Sequence, residues 1–518
     1  MPNEPTGSRA ALEITSNSIS GLSIDPTSSD LLALSLGAET TTTIGDGEAA
    51  ESTDGSGSGE TSTSSSGPGV STSAGGGATT VVGSASTGGP TTTARPTTTR
   101  PATTAAPPPP PVDTGSVPGN GQVFYVSSGS GNDANDGLST SKPWKSLETG
   151  IQRLKPGQTL RLMSGEYREL KSAGVAHYSI DRGGTAGNWI KITSAPGHNP
   201  VIVASNGSGI IIQAPYVEFS GITVRGSGFN AGNNWGVGVA VSETHHVRVV
   251  GNSISRMATS GISVTNSSNF QVIGNDVYEN AFWSPLQGSG ISVWHSRNKG
   301  FGADSDGYHD RIIGNRVHSN ENIAKSQFKD FKLITDGNGI IVDSNQETGY
   351  SGRTLVANNL VYDNGGRGII SWQSDRVDIM FNTGYQNGQT DGISGGATEF
   401  AAGKGNDIVM ANNVGWARSG LPALIFDRVS NGRSFNNVLV TDSPSGHASS
   451  RDIMHSGNPG FRNPSVSAGS ADFRPTAGSV LDDKAQETPW FITADLVGTS
   501  RGSGTPDIGA FEAEAARR

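Results

Sequence analysis

The chain of 518 residues contains no cysteine. That single absence excludes disulfides, thiolate metal sites and cysteine nucleophiles together. Charge is sparse and tilted to acid, with Lys and Arg at 36 against Asp and Glu at 46. A nucleic-acid binder needs a basic stripe to neutralise phosphates, so this balance argues against that class. No apolar run reaches the roughly 18 residues that a membrane-spanning helix requires. The amino terminus lacks the basic start and apolar core of an export signal, and the run at 31–36 is too short to serve. Motifs of the His-Glu-x-x-His, Gly-x-Ser-x-Gly and phosphate-loop types do not occur either.

What is present divides the chain in two near residue 118. From about 40 to 117 it is Thr, Ser, Gly, Pro and Ala, with almost no large apolar side chain. Such a stretch cannot bury enough surface to offset its ordering entropy, so it reads as a disordered linker. Its Thr/Pro part at 91–111 reads either as a stiffened stalk or as a plain tail. Residues 1–39 are more mixed and carry no assignable role. Residues 119–518 form the folded domain.

Two short patterns alternate through that domain. One is Gly-Ile-x-Val-x, as in Gly261-Ile262-Ser263-Val264-Thr265 and Gly339-Ile340-Ile341-Val342-Asp343. Near copies start at Gly238, Gly290, Gly368 and Gly392. The other places an asparagine after a β-branched run: Asn252, Asn275, Asn315, Asn358, Asn382, Asn412 and Asn436. The shortest spacing, Gly238 to Gly261, is 23 residues, and insertions lengthen the others. Short strands repeating with loop insertions predict a β-solenoid, each repeat burying its inward side chains against the next. One asparagine per coil at one register predicts an internal amide stack at a turn, not a functional site. Trp144, Leu147, Ile151 and Leu154 recur at helical spacing and predict a short helix capping the first coil.

The opening of the domain resembles bacterial β-helix proteins related to family 9 polysaccharide lyases. The resemblance rests on Phe124-Tyr125-Val126-Ser127, Lys142-Pro143-Trp144, Leu154-Lys155-Pro156-Gly157, Gly165-Glu166-Tyr167-Arg168, and Gly184-Thr185-Ala186-Gly187 followed by Ile190-Lys191-Ile192. The closing Pro506-Asp507-Ile508-Gly509-Ala510-Phe511-Glu512 is similar to the end of such domains. It implies an all-β fold, a single-stranded right-handed parallel β-helix, over about 119–512. It also implies a polysaccharide partner and a place outside the cell or on its surface. The whole is expected to act as a monomer, with no nucleic-acid partner.

Strand side chains alternate between faces. The fourth residue after each pattern glycine should face outward, giving the file Ser242, Thr265, Trp294, Asp343, Trp372 and Gly396. Two tryptophans flanking an aspartate suit a sugar groove; alternatively an insertion covers this face. The longest insertions, about 295–309, 321–335 and 345–352, border the same coils. They and their edges carry His295, Asp304, Asp306, His309, Asp310, Lys325, Lys329 and Asp336. Trp294, Trp372, His295, Asn338 and Asp310 are the candidate sugar contacts.

Two reactions fit these residues, with calcium-assisted β-elimination on a uronic-acid-containing glycan expected first and hydrolysis as its alternative. β-Helix lyases of the kind resembled use Ca²⁺ held by carboxylates and a Lys or Arg base. Here Asp336, Asp343 and Asn338 would be the hard oxygen ligands, and Lys325, Lys329 or Arg367 the base. A hydrolase would instead use Asp336 and Asp343 as paired carboxylates, with Asp310 as a third candidate. A non-catalytic glycan binder or adhesin is the alternative from another class. Asn132-Asp133-Ala134-Asn135-Asp136-Gly137 reads as a solvated turn. His245 and His246, adjacent on a strand, are expected to point to opposite faces, unable to chelate together.

Overall fold

In a computed structural model of the chain, the residues described are 117–513, without 120, 169–177, 206, 228–235, 301–306, 327–332, 444–447, 468–470, 487–491 and 502–503. The N-terminal segment expected over 1–39 and residues 40–116 of the linker expected over 40–118 lie outside them.

The described residues form a parallel β-helix. Each full coil contributes one strand to each of three parallel sheets, of eleven, eleven and nine strands. One coil shows the plan. Val239–Ser242 lies in the nine-stranded sheet, His245–Val250 in the first eleven-stranded sheet and Ser253–Ser255 in the second. The next coil, Ile262–Thr265, Ser268–Ile273 and Asp276–Tyr278, pairs with it strand by strand. β-Branched residues dominate the inward positions because they pack well on a pleated surface. Val239, Val241, Val247, Val249, Ile254, Ile262 and Val264 sit in one continuous core.

The first end of the solenoid is plugged as the apolar stripe predicted. The helix Leu147–Arg153 is N-capped by Ser146, whose Oγ accepts from the Thr149 amide at 3.2 Å. Trp144 stacks on Phe124 at 4.8 Å and buries with Leu147, Ile151 and Leu154. The acidic loop before it is a turn, with Asp133 Oδ1 accepting the amides of Lys145 and Ser146 at 2.9 and 3.0 Å.

The asparagine stack exists, but its register differs by one residue in three coils. The ladder runs Asn252, Asn275, Asn315, Asn359, Asn382, Asn413 and Asn437. In each step one Oδ1 accepts both the backbone N–H and the side-chain amide of the preceding asparagine. Asn358, Asn412 and Asn436 are instead the residues just before it, with φ of 55° at each. Glycine fills that left-handed position at Gly251, Gly274 and Gly314, and asparagine tolerates it better than most residues. Those three side chains reach outward to carbonyls of Ala494, Gln486 and Lys484, fastening the C-terminal segment to the solenoid. The closing motif belongs to that segment: buried Arg501 donates to Gly509 O and Asn358 Oδ1, both at 2.8 Å.

A second ladder, Asn280, Asn320, Asn364 and Asn387, stands at the next turn. It ends on Glu399, whose carboxyl accepts the Asn387 backbone and side-chain amides. Burial with no cation against it pushes Glu399 up to about 8.

One strand is also corrected. The copy at Gly392 is a turn, with positive φ at Gly392, Gly395 and Gly396, which no strand adopts. The nine-stranded sheet continues with Phe400–Gly403, so Gly403 and not Gly396 follows Trp372 in the outward file.

Candidate functional site

The outward file of the nine-stranded sheet is Ser242, Thr265, Trp294, Asp343, Trp372, Gly403 and Asp427. Each neighbour lies one coil, about 4.8 Å, from the next. Asp343 ends the strand Ile340–Asp343, where Ile340 and Val342 fill the core and Asp343 stays half-buried on the other face.

Asp336 precedes the same strand and is also half-buried. Its Oδ1 accepts from the Asn338 side-chain amide at 2.9 Å, and Arg367 lies within electrostatic reach. Burial pushes Asp336 up to about 7, opposed by Arg367 and Asn338. Burial likewise lifts Asp343 to about 7, and the charges of Asp336 and Glu347 add to the rise. Asp343 therefore feels the charge of Asp336, and among the described residues Asp336 alone of the two has a cation beside it.

Glu347 is a site residue that the sequence reading missed. It lies on the short 3-10 turn Asn345–Thr348 that leaves the Asp343 strand. His295 Nε2 contacts its Oε2 at 3.0 Å. The insertion at 345–352 had been singled out, and its only carboxylate was the available signal.

Of the residues expected at the site, Asp336, Asp343, Asn338 and Arg367 come together. Trp294 does not offer a sugar face: it is 5% exposed and stacks on His295 at 3.7 Å and 15°. Trp372 is half-buried, with Lys404 Nζ 5.0 Å over its ring. Asp310 is 0% exposed and accepts from Ser296 Oγ at 3.0 Å, so it is a buried carboxyl and not a substrate contact. Lys325 is exposed. Lys329, Asp304 and Asp306 lie outside the described residues. Arg367 is not a free base, since its Nη1 and Nη2 donate to Thr335 O and Ser394 O at 2.8 and 2.7 Å. His245 and His246 share a face, their Nδ1 atoms 2.7 Å apart, because His246 takes a left-handed φ of 53° that turns the strand.

Asn338, one of the expected calcium ligands, does not fit the ion. Ca²⁺ takes oxygen ligands from a carboxylate-rich shell. Asn338 turns its Nδ2 toward Asp336, while its Oδ1 is spent on the Arg367 amide at 2.8 Å. Arg367 already supplies a positive charge within electrostatic reach of Asp336. Among the described residues, Asp482, Asp483 and Asp507 form a group of metal-ligating type, far along the chain in the C-terminal segment. Also among the described residues, no helix is long and apolar enough to cross a membrane.

Comparison with solved structures gives modest likenesses. The crystal structure of pectate lyase Pel9A is 18% identical, with 76% of this chain and 96% of that chain covered and a TM-score of 0.44. A rhamnogalacturonan lyase is 14% identical, covering 61% and 87% at 0.38. The family 28 exopolygalacturonase of Yersinia enterocolitica is 12% identical, covering 63% and 66% at 0.32. No curated protein matches the chain. A family model described as the Pel9A-like, right handed beta helix region matches residues 124–406. With its three parallel sheets and capped first coil, the chain belongs to the Pel9A-like right-handed β-helix family.

Proposed function

We propose that the protein is a glycan-cleaving enzyme that hydrolyses a polysaccharide at Asp336 and Asp343. The observation that carries this is the pair itself: two carboxyls within electrostatic reach, Asp336 with Arg367 and the Asn338 amide beside it and Asp343 with the charges of Asp336 and Glu347 against it. Glycoside hydrolysis needs one carboxyl protonated and its partner charged, set apart by environment. Asp343 is the acid, because it has no cation beside it among the described residues and is repelled by Asp336 and Glu347. It donates its proton to the leaving glycosidic oxygen. Asp336 carries the charge, favoured by Arg367 and by the Asn338 amide. From the other side of the bond it offsets positive charge developing on the sugar, as nucleophile or as base to water.

Elimination, the reaction of the lyases named above, has less support here. It calls for a free base and a cation on the substrate carboxylate. Arg367 is engaged, Lys325 is exposed, and the oxygen of Asn338 is taken. Work on a polysaccharide accords with a place outside the cell or on its surface, which remains part of this proposal.

The test is incubation of the full chain with pectic, alginate, glucuronan and neutral polysaccharides, with Ca²⁺ or with EDTA. New reducing ends without ultraviolet absorbance, unaffected by EDTA and lost in Asp336→Asn and Asp343→Asn, are expected. Absorbance of an unsaturated uronate that EDTA abolishes would replace hydrolysis with elimination. Retention of one glycan without cleavage would make the protein a binding module.

A further inference from the structure

The two directions along the outward file differ. Before Asp343 it is closed: Ser242, Thr265 and Trp294 are 6%, 1% and 5% exposed. Beyond Asp343 it opens, with Trp372 and Asp427 half-buried. The closure has a specific cause. After Trp294 the chain doubles back over the turns of the two preceding coils. Arg297 Nε donates to Asn266 Oδ1 at 2.7 Å, and Lys299 Nζ reaches Glu243 at 2.6 Å. Ser268 Oγ and Asn269 Nδ2 hold the Lys299 carbonyl at 2.7 and 2.9 Å. The turn after Asp343 is bonded to this strap through Thr348 Oγ1 and Ser296 O. Trp294 and His295, one coil before Asp343, and Glu347, on the turn just after it, thus stand as a wall.

On the open side the next coil is shaped to carry a flat ring. Gly403 lies under the Trp372 indole, where any Cβ would collide with the ring. Gly403 has no positive φ, so its lack of a side chain serves the indole and not the backbone. Trp372 can therefore lie along the coils, with Lys404 Nζ 5.0 Å over its ring, a contact that a sugar ring would displace; no carboxylate partner of Lys404 is found among the described residues. An indole held in this way suits a pyranose face, and one coil step is about the length of one sugar unit.

We propose that this face receives one end of a glycan. The chain enters from the C-terminal coils over Trp372, and its terminal sugars stop where the file closes, meeting the exposed Glu347 while Trp294 and His295 stay buried. The enzyme is then exo-acting, releasing a product of one or two sugars. This rests on the hydrolytic reading for the cut, and on the wall and the Trp372 platform for the direction.

Two measurements separate the inference from that reading. Calorimetric titration of the Asp343→Asn full chain with short and long fractions of each panel polysaccharide counts proteins bound per glycan chain. One protein per chain at every length is expected. With the unsubstituted protein, chromatography should show a one- or two-sugar product from the earliest time, while viscosity stays nearly constant. Trp372→Ala, and Gly403→Ala that tips the indole, should each raise KM about tenfold and leave kcat within about threefold. Binding that grows with chain length, or mid-length products with a rapid fall in viscosity, overturns the inference and leaves hydrolysis standing. An unchanged KM in both variants overturns the platform and the inference with it. End binding without cleavage overturns hydrolysis and leaves the inference standing. No binding to any panel glycan overturns both.

Discussion

The inner asparagine ladders and the outer file of the nine-stranded sheet are both stacks of one residue per coil. They follow opposite logic. Inside, the same side chain repeats, and each amide meets the donors and the acceptor its neighbours present. Repetition there saturates hydrogen bonds in a dry interior, where an unmet polar group costs about 1–3 kcal/mol. Outside, the residue changes at every coil, from Thr265 to Trp294, Asp343, Trp372 and Gly403. Two of the carboxyls gathered there, Asp336 and Asp343, are held far from their ordinary range. In a solenoid, what repeats holds the coils together, and what departs from the repeat is free to be chemistry.

The largest effect that would break this contrast is on rate. Asp343→Asn should lower kcat by about a thousandfold, the usual scale for losing a positioned general acid. Its melting temperature should change little, because the amide oxygen of an asparagine can still accept from Ser344 Oγ, which donates to Asp343 Oδ1 at 2.8 Å. Loss of folding with loss of rate would place Asp343 among the structural residues.

The inner stack should respond in the opposite way. Asn359 accepts both the backbone and side-chain amides of Asn315 and donates to Ile312 O and Asn382 Oδ1. Asn359→Ala orphans these groups and should cost about 3 kcal/mol of stability, read as a lower melting temperature. Activity per folded molecule should be unchanged.

Glu399 sharpens the comparison, since a ladder there ends on a titratable group. Its folded pKa of about 8 lies above the ordinary glutamate value of 4.5. The folded state thus holds a proton that the unfolded state has released. Stability from this group is present below about 4.5 and is lost as pH rises through about 8, by at most about 1.4 kcal/mol per pH unit. Glu399→Gln should flatten that slope in melting curves taken between pH 5 and 8. An unchanged slope would assign it to other groups.

The smallest effect concerns Glu347, whose charge raises Asp343. Glu347→Gln should lower the Asp343 pKa and move the alkaline limb of the pH–rate profile to lower pH, by about half a unit. A shift to higher pH would remove Glu347 from the electrostatics of the pair.

Much of this was legible beforehand, and the failures share a cause. Five of the six Gly-Ile-x-Val-x copies became strands of one sheet, from Val239–Ser242 to Ile369–Trp372. The sixth failed because Gly395-Gly396 matched the pattern without side chains able to hold a strand. The double asparagines misled by one residue, because the left-handed turn and the ladder both accept asparagine. Asp343 and Trp372 were legible from alternation alone. That Trp294 is shut away and Asp310 buried was not, because both depend on where loops from other coils settle.

The sequence by itself determined the coil, its core, its cap and which residues face outward. Periodicity is local, and burial at a period of two leaves little choice of register. The tertiary structure decided which outward positions stay open. It did so through the strap after Trp294, the turn carrying Glu347 and the glycine beneath Trp372. These are contacts between coils remote in sequence, and no repeat encodes them, because the insertions that make them are the parts that do not repeat.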